Sequence, residues 1–163
     1  EELSLDTVQS LCDMAESEMA DERREGLSAL AGITVAIQAK QTNLFGSNDR
    51  IIHILLSALN SPDNDINHTG ALLLANVSSQ ASIQKNLTEN LLLSIVALMG
   101  ADVTLANKDT KRQLARALLN LSNPKNVGEL KQLKDFAAVE KVLSFCLKLE
   151  DKALNDIVGK IQL

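Results

Sequence analysis

Apolar residues along the chain fall at helical spacing, and one stretch shows the pattern plainly. In residues 66–77, Ile66, Gly70, Leu73, Leu74 and Val77 lie at i, i+4, i+7, i+8 and i+11, the signature of a buried helix face. Ala71 and Ala75 occupy much of the other side and are small enough to let a neighbouring helix approach. That leaves one narrow polar strip: His68, Thr69, Leu72 and Asn76. Further aliphatic helices are expected at Ile51–Leu59, Leu91–Met99 and Val139–Leu149, with an N-terminal helix at Ser4–Met19 and a partial one at 152–163. Turns follow at Asn60–Asp63, Gly100–Asp102 and Glu150–Asp151, where Pro62 cannot continue a helix and Gly100 suits a helix C-terminus. Asp21, Asp63 or Asp65, and Asp109 are placed to cap the long helices, and Pro124 to open a short extra one. No alternation of useful length points to a strand.

The long-helix pattern recurs. Residues 27–35 (LSALAGITV), 71–79 (ALLLANVSS) and 115–123 (ARALLNLSN) align at a spacing of 44 residues. Leu30, Leu74 and Leu118 coincide, as do Ile33, Val77 and Leu121, and then Thr34, Ser78 and Ser122. Asn76 coincides with Asn120, and Gly32 takes that place in the first copy. Helices repeating every 40–47 residues or so are the mark of armadillo and HEAT arrays. The string Ala117-Leu118-Leu119-Asn120-Leu121-Ser122, followed by a polar turn and an aliphatic helix, resembles the third helix of an armadillo repeat. The resemblance spans residues 21–151, with HEAT repeats as the second choice. The glycine pair usual before that family's second helix is missing: Thr88–Asn90 and Asp135–Ala137 stand near its place. The resemblance implies an all-α fold, a right-handed α-α superhelix of about three repeats plus flanking helices. The expected division of 1–163 is an N-terminal cap helix at 1–20, repeats at 21–62, 63–102 and 103–151, and a terminal partial helix at 152–163.

Stacking would bring the polar strips side by side. The first copy contributes Arg24, Glu25, Ser28 and Gly32, and the third Arg112, Gln113, Arg116 and Asn120. Arg24, His68, Arg112 and Arg116 read as a basic strip suited to an acidic or phosphorylated segment through charge-assisted hydrogen bonds. The competing reading is that these cations are solvated or pair with Asp21, Glu22 and Glu25. In armadillo proteins the matching helices line a concave face, and the matching Asn commonly bonds the main chain of an extended peptide. By that resemblance Asn76 and Asn120 are peptide-holding candidates, an amide offering both donors and an acceptor. The competing reading is structural: an amide near a helix end that satisfies a loop carbonyl. The tryptophan that nuclear-signal importers place one turn earlier is replaced here by Ser28, Leu72 and Arg116, and the chain has no Trp, so that role is not expected.

Composition narrows the field. Of 163 residues 45% are hydrophobic, 23% charged and only 2% aromatic (Phe45, Phe136 and Phe145), so the core is aliphatic, which favours helix on helix. A net charge of −5 and the lack of stacking platforms argue against nucleic acid. Apolar runs such as Leu91–Leu93 are too short to span a bilayer. Cys12 and Cys146, the two cysteines, read as reduced structural thiols. With no visible signal peptide, the cytoplasm is the expected compartment, the nucleus remaining open. Asn67, Asn76, Asn86 and Asn120 match the glycosylation pattern and read as coincidences of the repeat. The first residue is not Met, which suggests an excised fragment or processed form.

No catalytic constellation appears: no nucleophile elbow and no phosphate loop. His53 lies within an aliphatic helix, and His68 has no ligand partner at metal spacing. Asp63, Asp65 and Asn67 only faintly resemble the start of a calcium loop. No enzyme activity, metal, cofactor or small-molecule substrate is expected. The expected function is a protein-interaction scaffold that takes a partner segment along the strip. The alternatives are a regulatory module acting on a folded partner such as a small GTPase or chaperone through an edge or convex surface, and a self-assembling structural element.

Overall fold

The computed structural model describes residues 5–36, 49–78, 89–99, 105–121, 140, 144 and 152–161. The protein is all-α, and no strand occurs among the described residues. The helices are α1 (Leu5–Ala15), α2 (Ala20–Ala36), α3 (Asp49–Leu59), α4 (Asn64–Val77), α5 (Glu89–Met99), α6 (Leu105–Leu121) and α7 (Lys152–Gly159). Of the expected helix at 139–149 only Glu140 and Ser144 are described, both helical and exposed; the extra helix at Pro124, the turns at 100–102 and 150–151, Cys146 and Asn86 lie outside the described residues. The bracketed repeats hold α2 with α3 (21–62), α4 with α5 (63–102) and α6 (103–151).

Local chemistry sets the α3–α4 boundary. The last turn of α3 closes with the Asn60 amide donating to Leu56 O at 3.1 Å, and Pro62 follows. Asp63 then adopts an extended conformation (φ −87°, ψ 117°), and its carboxylate accepts from the amides of Asp65 and Ile66, capping α4. The other two expected caps do not form. Asp21 lies inside the first turn of α2 and Asp109 in the second turn of α6, because both helices begin before them. Neither residue has the extended N-cap backbone from which a carboxylate caps the amides two and three residues on.

Packing orders the helices into two layers. α2, α4 and α6 lie side by side, α1, α3 and α5 form a second layer against them, and α7 packs on α6. Sequence neighbours form hairpins, α1 with α2, α3 with α4 and α5 with α6. The aliphatic residues that repeat in sequence make the interior: Leu30, Leu74, Leu118, Val77 and Leu121 are all buried, joined by Ile54, Leu55, Leu91 and Ile95 from the second layer. Each fully buried Leu or Ile contributes about 1.5–3 kcal/mol. Ile33 is half-buried at the edge of this core.

Glycine permits two close crossings. A Cβ on Gly26 of α2 would run into Ala15 N on α1, and one on Gly70 of α4 would stand 2.6 Å from Ala58 Cβ on α3, so at both places the helices meet at a distance a larger residue does not allow. The second layer is also tied by charge: Arg50 on α3 donates to Glu16 at 2.7 Å and to Asp13 at the end of α1. These two carboxylates raise the Arg50 pKa, through their hydrogen bonds above all. Cys12 sits beneath this clasp as a free, buried thiol, and burial pushes its pKa up.

A candidate partner-binding face

α4 is the central helix of its layer, and from Ile66 to Ser78 every residue is buried except His68, Thr69, Leu72 and Asn76. Helical geometry places those four on one line. The strip continues on the neighbours: Glu25, Ser28 and Gly32 are exposed on α2, as is Arg116 on α6, while Arg24, Arg112, Gln113 and Asn120 are half-buried. The structure therefore brings all six site candidates onto one face of three adjacent helices.

What these side chains do there differs in an important respect from simple display. The amide of Asn76 donates to Ala31 O and to Thr34 Oγ1, both at 3.0 Å, on α2. The amide of Asn120 does the same one helix on, to Ala75 O at 3.3 Å and Ser78 Oγ at 2.9 Å. Each hydroxyl in turn donates a hydrogen bond to the same carbonyl, Thr34 to Ala31 O at 2.7 Å and Ser78 to Ala75 O at 3.0 Å. Two identical rungs thus join α2 to α4 and α4 to α6. The donor half of the amide chemistry is spent inside the protein, and at Asn76 it is the carbonyl oxygen that remains for a ligand. Gly32, the third member of the series, carries no amide, and a Cβ there would meet nothing within 4 Å.

The cations are mostly compensated. Arg24 donates to Asp21 at 2.9 Å and to the capping carboxylate Asp63. The Arg24 hydrogen bond, aided by the Ile66 and Asp65 amides, holds the Asp63 pKa below its usual value against the opposing effect of desolvation. His68 Nε2 pairs with Asp109 on α6, and Arg112 stands 3.9 Å from the same carboxylate. Acid and base therefore alternate along the strip, and the pairing with Asp21 anticipated for Arg24 is one part of it. Arg116 is the exception, since its guanidinium donates at 2.7 Å to the neutral oxygen of Gln113.

One residue that sequence reading passed over has a clear role. Asn67, noted above only in a glycosylation pattern and a faint calcium-loop likeness, is buried and donates to Ala58 O at 2.8 Å and Ser61 O at 2.9 Å. It thereby satisfies the carbonyls at the end of α3. At the same register stand Lys111, 1% exposed, and the half-buried Arg23. All three carry N–H donors at the register of the apolar helix side. The signal was a polar residue recurring at the repeat period on the apolar side of the helix.

Among the described residues no group of three or more His, Cys, Asp or Glu is arranged to hold a metal. His53 is exposed on α3, and no described helix is long and apolar enough to cross a membrane.

No family model matches the chain, and no curated protein matches it. Solved structures do. Three crystal structures, each described as an engineered protein, align with it over nearly its whole length. One has a TM-score of 0.77 at 21% identity, covering 94% of this chain and 61% of its own. A second has 0.74 at 21%, covering 95% and 60%. A third has 0.75 at 22%, covering 94% and 36%. The chain thus spans less than two thirds of the length of each. At such identities the likeness shows the fold alone.

Proposed function

We propose that this chain is an armadillo-type α-solenoid segment, a non-enzymatic scaffold that docks an extended partner segment across the strip on α2, α4 and α6. One observation carries the reading. From Ile66 onward α4 is otherwise buried on all sides, the residues left accessible are the four that form a line, and the line continues on both neighbours. A surface so confined by packing has few uses other than contact. The 44-residue recurrence, the rungs at Asn76 and Asn120 and the resemblance of 117–122 to an armadillo third helix support the repeat assignment. The Asn76 carbonyl oxygen would accept from a partner main-chain N–H, and Arg116 with Arg112 would meet an acidic or phosphorylated side chain. The cytoplasm or nucleus is the compartment this reading fits.

The test is to pan a random peptide library on the immobilised chain and map enriched peptides by chemical-shift perturbation. Shifts concentrated at Thr69, Leu72, Asn76, Gln113 and Arg116, and lost in Arg116→Glu, support the proposal. Failure to enrich any peptide, or shifts confined to α1, α3 and α5, would overturn it.

A further inference from the structure

The charges left uncompensated on the strip are not scattered. Arg24 is engaged by Asp21 and Asp63 and lies in the field of Asp65 as well. Asp109 is shared by His68 and Arg112. Two charged groups in the middle of the strip stand apart from this. Glu25 on α2 is exposed and has no partner among the described residues, and Arg116 on α6 is exposed and bonded only to neutral Gln113. Between them, on α4, lie Thr69 and the half-buried Leu72. Read across the three helices at the repeat register, the rows are Glu25–Thr69–Gln113 and Ser28–Leu72–Arg116. Taken across the two rows, the face runs obliquely from the acid Glu25 on α2, about one helical turn before Ser28, through apolar Leu72 to the cation Arg116.

The spacing of that series has a match in peptide geometry. Packed helices lie about 8–10 Å apart. A polyproline II segment repeats its side-chain direction every three residues at about 3.1 Å each, roughly 9 Å per turn. A regular α-helical or two-residue extended repeat does not step from helix to helix in this way. We infer that the strip selects a polyproline II segment carrying a cation, an apolar residue and a carboxylate at positions i, i+3 and i+6, set against Glu25, Leu72 and Arg116. This rests on the docking reading above and adds to it the chemistry of the partner. Basic, acidic and uncharged segments are excluded by the same pair: a uniform charge meets repulsion at one end, and a neutral segment gains attraction at neither.

The experiment uses synthetic peptides Lys-Pro-Pro-Leu-Pro-Pro-Glu and its reverse, with the same frame carrying Lys at both ends or Glu at both ends. Binding to the full 163-residue chain is measured at low salt, where exposed charges count most. The mixed-charge peptides bind roughly fivefold more tightly than either same-charge peptide, the size expected when an exposed pair replaces a like-charge contact. Arg116→Glu shifts the preference to the peptide with two lysines, and Glu25→Lys to the peptide with two glutamates. A switch in preference cannot arise from loss of folding. Equal binding of all the peptides to the wild type, or preferences that neither variant alters, overturns this inference and leaves the docking reading standing. If no peptide of any charge binds here and library panning also enriches none, the docking reading falls first and this inference with it.

Discussion

At the residue scale, the two asparagines are the pivot of the molecule. Each amide bridges a carbonyl and a hydroxyl on the preceding helix of the layer, so removing it strands a half-buried network. Asn76→Ala should lower unfolding stability by about 1–2 kcal/mol. In a double-mutant cycle with Thr34→Val the coupling should be about 1 kcal/mol, measured by urea denaturation; additive effects would mean that the rung carries no shared energy. A second residue-scale prediction concerns Asp63. Its pKa is lowered in the folded state, first by the Arg24 hydrogen bond and then by the helix amides. The stability it contributes is therefore fully present above the ordinary carboxylate pKa and is lost as pH falls through the folded value. Asp63→Asn keeps a capping side chain but cannot titrate. The fall in unfolding midpoint on acidification below about pH 4 should be shallower in this variant than in the wild type. An unchanged acid slope would show that Asp63 is not a contributor. Both halves of each rung were visible in sequence, Asn76 with Asn120 and Thr34 with Ser78. Their pairing was not, because it joins residues 42 positions apart.

At the scale of the helices, two glycines that look alike in sequence behave oppositely. Both lie inside helices, where glycine costs about 0.5–1 kcal/mol relative to alanine. Gly32 faces open space, so Gly32→Ala should recover about that amount as a higher thermal midpoint. Gly70 stands against Ala58 on α3, with the added Cβ at 2.6 Å, so Gly70→Ala should destabilise by about 1–3 kcal/mol through overpacking. Calorimetry on the two variants decides the matter, and equal effects would disprove the close crossing. Helix identity was legible from periodicity, and α1, α3, α4, α5 and α7 begin or end within a few residues of the sequence reading. Cap positions were less so. Asp21, Asp63 and Asp109 are equally plausible in sequence, and what distinguishes Asp63 is the proline-terminated helix before it.

At the scale of the whole molecule, the layers are built from neighbour contacts. Among the described helices, α4 is covered by α2, α3 and α6, whereas α7 packs extensively on α6 alone. In a repeat array of the kind proposed above, stability is approximately the sum of local units and their interfaces. Native-state hydrogen exchange should therefore find the amides of α4 the slowest, those of α7 the fastest and α1 in between. Uniform protection across the helices would contradict this and show a single cooperative unit.

The sequence by itself determined that the protein is helical, aliphatic in its interior and periodic at 44 residues. It also fixed which line of α4 escapes burial, because these follow from side-chain spacing and composition within one helix. Tertiary packing set which groups on that line are engaged. It spent the amides of Asn76 and Asn120 on neighbouring helices, closed Arg24 and His68 against Asp63 and Asp109, and left Glu25 and Arg116 as the open charges. Those outcomes depend on which atoms meet across helices. Periodicity gives the direction of a side chain, but only the packing of one helix on the next supplies its partner.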